Sequence, residues 1–106
     1  MAAKGRDYER IGDMKVLQYE MINYYSRFNT YIIPECSSNS LINFCSGAGD
    51  RVLNVSSISD PLASGKYNYV VGFLAEDDFS INFSLERGVN GIPPGDYVLT
   101  KNGIAR

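Results

Sequence analysis

Arg6-Asp7-Tyr8-Glu9-Arg10-Ile11-Gly12-Asp13-Met14-Lys15-Val16-Leu17-Gln18-Tyr19-Glu20-Met21-Ile22-Asn23-Tyr24-Tyr25-Ser26-Arg27-Phe28-Asn29-Thr30-Tyr31 is the stretch whose periodicity decides the fold. Tyr8, Ile11, Met14, Leu17, Met21, Tyr25 and Phe28 recur at steps of three or four. That spacing draws one apolar stripe along a 3.6-residue helix. Asp7, Glu9, Asp13, Lys15, Glu20 and Arg27 fall mostly off the stripe. No proline interrupts before Pro34. The spacing predicts a helix over residues 6–30, with Asn29 tolerating the left-handed conformation that ends it. A helix of about 24 residues is roughly 36 Å long, more than so short a chain needs for its own core. The segment before Met14 has less to cover and is expected to be the more mobile part.

Working outward, Ile32-Ile33-Pro34 begins an extended stretch, because a residue before proline avoids the helical region. Residues 31–66 form a loop region rich in Ser, Gly and Asn. Leu41, Ile42 and Phe44 suggest a short helical turn. Residues 51–55 read as a short strand or as a loop pinned by Val52, Leu53 and Val55. Asp60-Pro61-Leu62 reads as a turn.

Residues 67–101 read as sheet. The first strand, residues 67–75, is expected to place Tyr67, Tyr69, Val71 and Phe73 on one face. The second alternates from Phe79 to Glu86: Phe79, Ile81, Phe83 and Leu85 inward, Ser80, Asn82, Ser84 and Glu86 outward. That is the period-two mark of a strand with one buried face. Glu76-Asp77-Asp78 supplies the hairpin turn between them. Tyr97-Val98-Leu99-Thr100 is a third strand, closed by a turn at Lys101-Asn102-Gly103. The expected architecture is α+β, one amphipathic helix packed across an antiparallel sheet of three or four strands, in a single domain over residues 1–106.

Composition narrows the chemistry. The chain has 106 residues, a net charge of −2, no His and no Trp. Without His there is no Ser-His-Asp triad and no Cys-His pair. The chain is therefore read as a non-enzyme, with no catalytic residue, no small-molecule substrate and no cofactor-binding residue. With no basic patch, nucleic acid is not favoured as a partner. Two cysteines cannot make a four-thiolate zinc site. Cys36 and Cys45 lie nine apart and read as a local disulfide, the alternative being two free thiols; the spacing is not the Cys-x-x-Cys of a redox pair. Neither a signal peptide nor an apolar run of about 18 residues is visible. A disulfide without an export signal suggests a sequence shortened at its N-terminus. Asn54-Val55-Ser56 and Asn82-Phe83-Ser84 match the glycosylation pattern, though Asn82 reads better as an outward strand residue. Glu76-Asp77-Asp78 matches no calcium loop and reads as an exposed acidic turn.

The order of these features resembles the type IV pilins and the type II secretion pseudopilins. Three places carry the resemblance. The helix has an Arg6-Asp7 start, a Leu17-Gln18 pair and a Tyr24-Tyr25 end leading to Asn29-Thr30-Tyr31. Asp60-Pro61-Leu62 is followed by Tyr67-Asn68-Tyr69. A strand ends Phe83-Ser84-Leu85-Glu86. The chain departs from the family where Ile32-Ile33 intervene between Tyr31 and Pro34, and it lacks the family's hydrophobic N-terminal half-helix. The resemblance implies a soluble head domain of a structural subunit, polymerising through that absent helix into a filament of identical or related subunits. It implies display on a cell-surface filament, drawn from an inner-membrane pool through the missing segment. Adhesion, motility and secretion are the roles that follow, with a type II secretion pseudopilin as the alternative within the family. A small standalone protein-binding module is the alternative outside it. Tyr19, Ile22 and Tyr24 are the candidate assembly surface. Some pseudopilins hold calcium before the last strand; in the corresponding loop here, residues 87–96, only Asp96 and the neighbouring Glu86 could contribute carboxylates.

Overall fold

The structure is a computed structural model and describes residues 2–106; Met1, the first residue of the expected domain, lies outside them. It is α+β: one long N-terminal helix and two antiparallel sheets, of two and four strands. Helix α1 spans Ala3–Phe28. It ends as expected, at Asn29 with φ 59°, whose N–H donates to the Tyr25 carbonyl at 2.7 Å. Strands β1 (Gly47–Ala48) and β2 (Arg51–Val52) make a minimal ladder. Strands β3 (Val70–Leu74), β4 (Phe79–Leu85), β5 (Gly95–Thr100) and β6 (Gly103–Ala105) follow one another as a meander. A single 3-10 turn, Ile42–Phe44, stands where Leu41, Ile42 and Phe44 suggested one.

The core lies between α1 and the sheet. Met14, Leu17, Met21 and Tyr24 meet Phe79, Ile81, Phe83 and Leu85 of β4, with Val71 and Leu99 on the flanking strands, all at most 1% exposed. Burying each such side chain stabilises by roughly 1.5–3 kcal/mol. Tyr31 closes the far end, 4.9 Å from Phe79 and 4.7 Å from Tyr25 between ring centres.

The helix seam differs from the expected stripe. The buried positions are Asp7, Arg10, Met14, Leu17, Met21 and Tyr24. They keep steps of three and four, but the first two are charged. Tyr8 is exposed, and Tyr25 and Phe28 only edge the core. The start of α1 therefore covers more than its apolar content suggested: the segment before Met14, expected to have less to cover, buries Asp7 and Arg10 in the ion pairs described below.

Strand β3 also departs from the expected alternation. A bulge between Val71 and Phe73 shifts its register against β4. One extra residue turns the following side chain to the other face, so Tyr69 and Val71 point inward while Phe73 is 43% exposed. Tyr67 precedes the strand, in a tight turn where Ser64 and Tyr67 exchange backbone hydrogen bonds. On the far face of β4, Asn82 is exposed as expected but Ser80 and Ser84 are buried. Ser80 fills the space a side chain at Gly72 would need, its Oγ 2.3 Å from where that Cβ would sit. Ser84 Oγ donates to Asp96 at 2.7 Å, which caps it.

Cys36 and Cys45 are joined by a disulfide. The loop between them lies along the outer edge of β3. The Asn39 N–H donates to the Val71 carbonyl, the Val71 N–H to the Ser40 carbonyl, and the Ile42 N–H to the Tyr69 carbonyl, at 2.8, 2.8 and 3.0 Å.

Candidate functional site

Helix α1 offers two faces, and what holds the inner one decides what the outer one can present. Near its start, five charged side chains form a clamp. Asp7 accepts hydrogen bonds from three consecutive backbone N–H groups, those of Glu86, Arg87 and Gly88, at 2.8–2.9 Å. It also accepts one from Arg10 Nη1 at 2.8 Å. Arg10 forks onto Asp60, from Nε at 2.8 Å and from Nη2 at 2.9 Å, and Nη2 lies 2.8 Å from Glu86. The Tyr67 ring lies 4.9 Å from the Arg10 guanidinium carbon. Arg6 makes a second fork, onto Glu86, at 2.6 and 2.8 Å. Asp60 in turn accepts from the Leu62 N–H at 2.8 Å, which makes the Asp60-Pro61-Leu62 corner.

Three carboxylates face two guanidiniums here, and backbone N–H groups make up the deficit. Arg10, Asp7 and Asp60 are almost wholly buried, so their satisfaction has to be complete; among the described residues no buried side-chain polar atom lacks a partner. Hydrogen bonding from Arg6, with Arg10 behind it, holds the Glu86 carboxyl well down, at about 2. Burial pushes Asp7 up, but the N–H groups of Glu86 and Arg87, the Arg10 guanidinium and the Gly88 N–H together bring it below its ordinary value. Asp13 behaves the opposite way. Burial raises it, partly offset by the Tyr69 hydroxyl that donates to it at 2.7 Å.

The clamp joins the first turns of α1 to the end of β4 and to the corner at Asp60, and so fixes which face of the helix is left outward. That face carries Tyr8, Val16, Tyr19 and Ile22, all exposed, Tyr19 at 68% and Ile22 at 44%. Tyr24 does not belong with them. It is 1% exposed, and its hydroxyl donates to the Ile32 carbonyl at 2.9 Å. A ring in the core cannot meet a second chain, so Tyr24 leaves the assembly set and Tyr19 and Ile22 remain on the surface. Gly12 is exposed on the same side as Tyr8 and Tyr19. A Cβ at Gly12 would meet nothing within 4 Å, so nothing inside this chain requires glycine there. Mid-helix glycine costs about 1 kcal/mol relative to alanine.

The sequence reading missed Gly12 as a surface feature and the clamp as a unit. The signal for the clamp was present: positions 7 and 10 continue the spacing of 14, 17, 21 and 24 backwards, with charged residues in apolar slots. The carboxylates considered for calcium are engaged elsewhere. Glu86 belongs to the clamp, and Asp96 bonds to Ser84 and lies 3.6 Å from Lys66. Among the described residues no group of three His, Cys, Asp or Glu side chains is placed to hold a metal ion, and no helix is long and apolar enough to cross a membrane. No family model matches the chain, and neither a characterised protein nor a solved structure matches it.

Proposed function

We propose that this chain is the head domain of a pilin-like filament subunit, anchored and polymerised through a hydrophobic helix that precedes α1 in the native protein. The filament stands on the cell surface, and its subunits wait in the inner membrane before assembly. The role is structural and works by packing. The observation that carries this reading is the outward face of α1: apolar and aromatic side chains exposed along a helix whose other face is fully used by the sheet and the clamp. Exposed apolar residues arranged along one face suit burial against another chain, and Gly12 leaves room for a neighbouring backbone to approach.

Two variants test the reading. In the full-length protein, Tyr19→Ser with Ile22→Ser should abolish or sharply reduce filaments seen by electron microscopy, while the melting temperature of the head changes little. Normal filaments from that variant would remove the outward face as the assembly surface. Gly12→Ala separates folding from assembly: it should stabilise the isolated head by about 0.5–1 kcal/mol and weaken assembly in the full-length protein. A destabilised head would show instead that Gly12 serves the fold.

A further inference from the structure

The two ends of the molecule carry opposite exposed charge. At the base, the start of α1 and the loop after β4 border a shallow groove of about 570 Å³, lined by Lys4, Tyr8, Arg87 and residues 88–93. Lys4 and Arg87 are exposed, and among the described residues neither forms an ion pair. The carboxylates nearest in sequence to Arg87 and to the helix start, Glu86 and Asp7, are already bound by Arg6 and Arg10.

The opposite end is the hairpin turn between β3 and β4, closed by the Ala75 N–H on the Asp78 carbonyl at 2.9 Å. Glu76 and Asp77 project there, both exposed. Lys101 is close, but its Nζ donates to the Asp77 backbone carbonyl at 2.8 Å rather than to a carboxylate. Hydrogen bonds fix the placement of both features. The Tyr31 N–H, just past the end of α1, bonds to the Ala75 and Glu76 carbonyls, while Asp7, near its beginning, bonds to the backbone of Glu86, Arg87 and Gly88. The seven residues of β4 separate the two, a distance of about 23 Å.

We propose that the acidic hairpin tip of one copy, Glu76 and Asp77, docks in the basic groove of the next copy, between Lys4 and Arg87. The contact is head to tail. Different patches meet, so every chain of copies keeps a free tip at one end and a free groove at the other and can grow, with a repeat set by the spacing of the two features, about 23 Å, and the side chains that meet between them. A tight turn is narrow enough to enter a shallow groove, and the cations and carboxylates that meet are unpaired in the single chain. The contact rests on the filament reading for its setting, since one exposed charge patch binds weakly alone and gains strength from subunits already held side by side.

Charge exchange tests it. Lys4→Glu with Arg87→Glu makes both ends acidic, and Glu76→Lys with Asp77→Lys makes both ends basic. Both pairs change exposed side chains only, and the Arg87 N–H that bonds to Asp7 is kept, so both variants should keep the native circular dichroism. Sedimentation at low ionic strength should show self-association of the native chain, none for either variant alone, and recovery when the two are mixed. Carbodiimide should link Lys4 of one copy to Glu76 or Asp77 of another, with yield falling about tenfold between about 20 mM and 300 mM salt. A mixture that associates no better than its parts, or Lys4 linked only to other carboxylates, overturns the contact. Normal filaments from either charge variant alone would also remove it and leave the filament reading standing. Association rescued by mixing, with no filament from the full-length protein, would do the reverse.

Discussion

Asp7 holds more of this molecule together than its size suggests. One carboxylate gathers three backbone N–H groups from the turn that follows β4 and a guanidinium from its own helix. Removing it orphans buried donors and leaves Arg10 short of a partner. Asp7→Ala should therefore destabilise the domain by about 3–5 kcal/mol, read from urea unfolding; a loss under about 1 kcal/mol would mean the clamp contributes little. The same residues set the acid response. Glu86 and Asp7 have folded pKa values below their unfolded ones. Their contribution is complete above the unfolded carboxylate range and is lost as pH falls through the folded values. Asp13 opposes them, because its raised value means that protonation favours the fold. Asp96, held down chiefly by the Ser84 hydroxyl, adds to the first pair, and with three groups against one the melting temperature should fall as pH drops from about 5 to 2. Glu86→Gln should flatten that limb, and an unchanged acid limb in this variant would place the dependence elsewhere.

The elements were read unequally well from the sequence. Strand β4 was legible because Phe79, Ile81, Phe83 and Leu85 alternate with polar residues and all go inward. The helix was legible from Met14, Leu17 and Met21, and its end from Asn29. What escaped were places where a local rule is broken by a contact far off in sequence. The bulge in β3 comes from pairing with β4, and its one local sign is Gly72, a lone glycine inside a strand pattern. The start of α1 escaped because Asp7 and Arg10 look solvent-seeking until Asp60 and Glu86 are brought to them from 50 and 76 residues away. Of the candidate site, Tyr19 and Ile22 were legible as outward. Tyr24 was misplaced, because a tyrosine at the edge of a stripe looks the same with its hydroxyl in water or on a backbone carbonyl. The bulge makes a sharp test. Val71→Ala should cost about 2 kcal/mol or more, while Phe73→Ser should stay within about 0.5 kcal/mol. Equal losses in a denaturant titration would mean that the strand alternates without interruption.

At the scale of the whole molecule, the disulfide acts on the sheet as well as on its own loop. By closing residues 36–45 it holds Asn39, Ser40 and Ile42 against β3, whose outer edge would otherwise offer unpaired backbone groups. Reduction should lower stability by about 2–3 kcal/mol and speed hydrogen exchange at the Val71 amide before that of the β4 amides. Uniform exchange across the sheet on reduction would mean that the loop gives no local protection. The clamp has its own large-scale consequence, and it is mechanical. Strand β4 runs antiparallel to α1, and the clamp joins the beginning of the helix to the end of that strand. A pull on the helix from its N-terminal side is loaded at once onto the forks of Arg6 and Arg10, which bear it in shear and pass it into the strand. The helix therefore cannot peel from the sheet one turn at a time from its base. It behaves as a bolted lever, and acid that protonates Glu86 and Asp7 loosens the bolt.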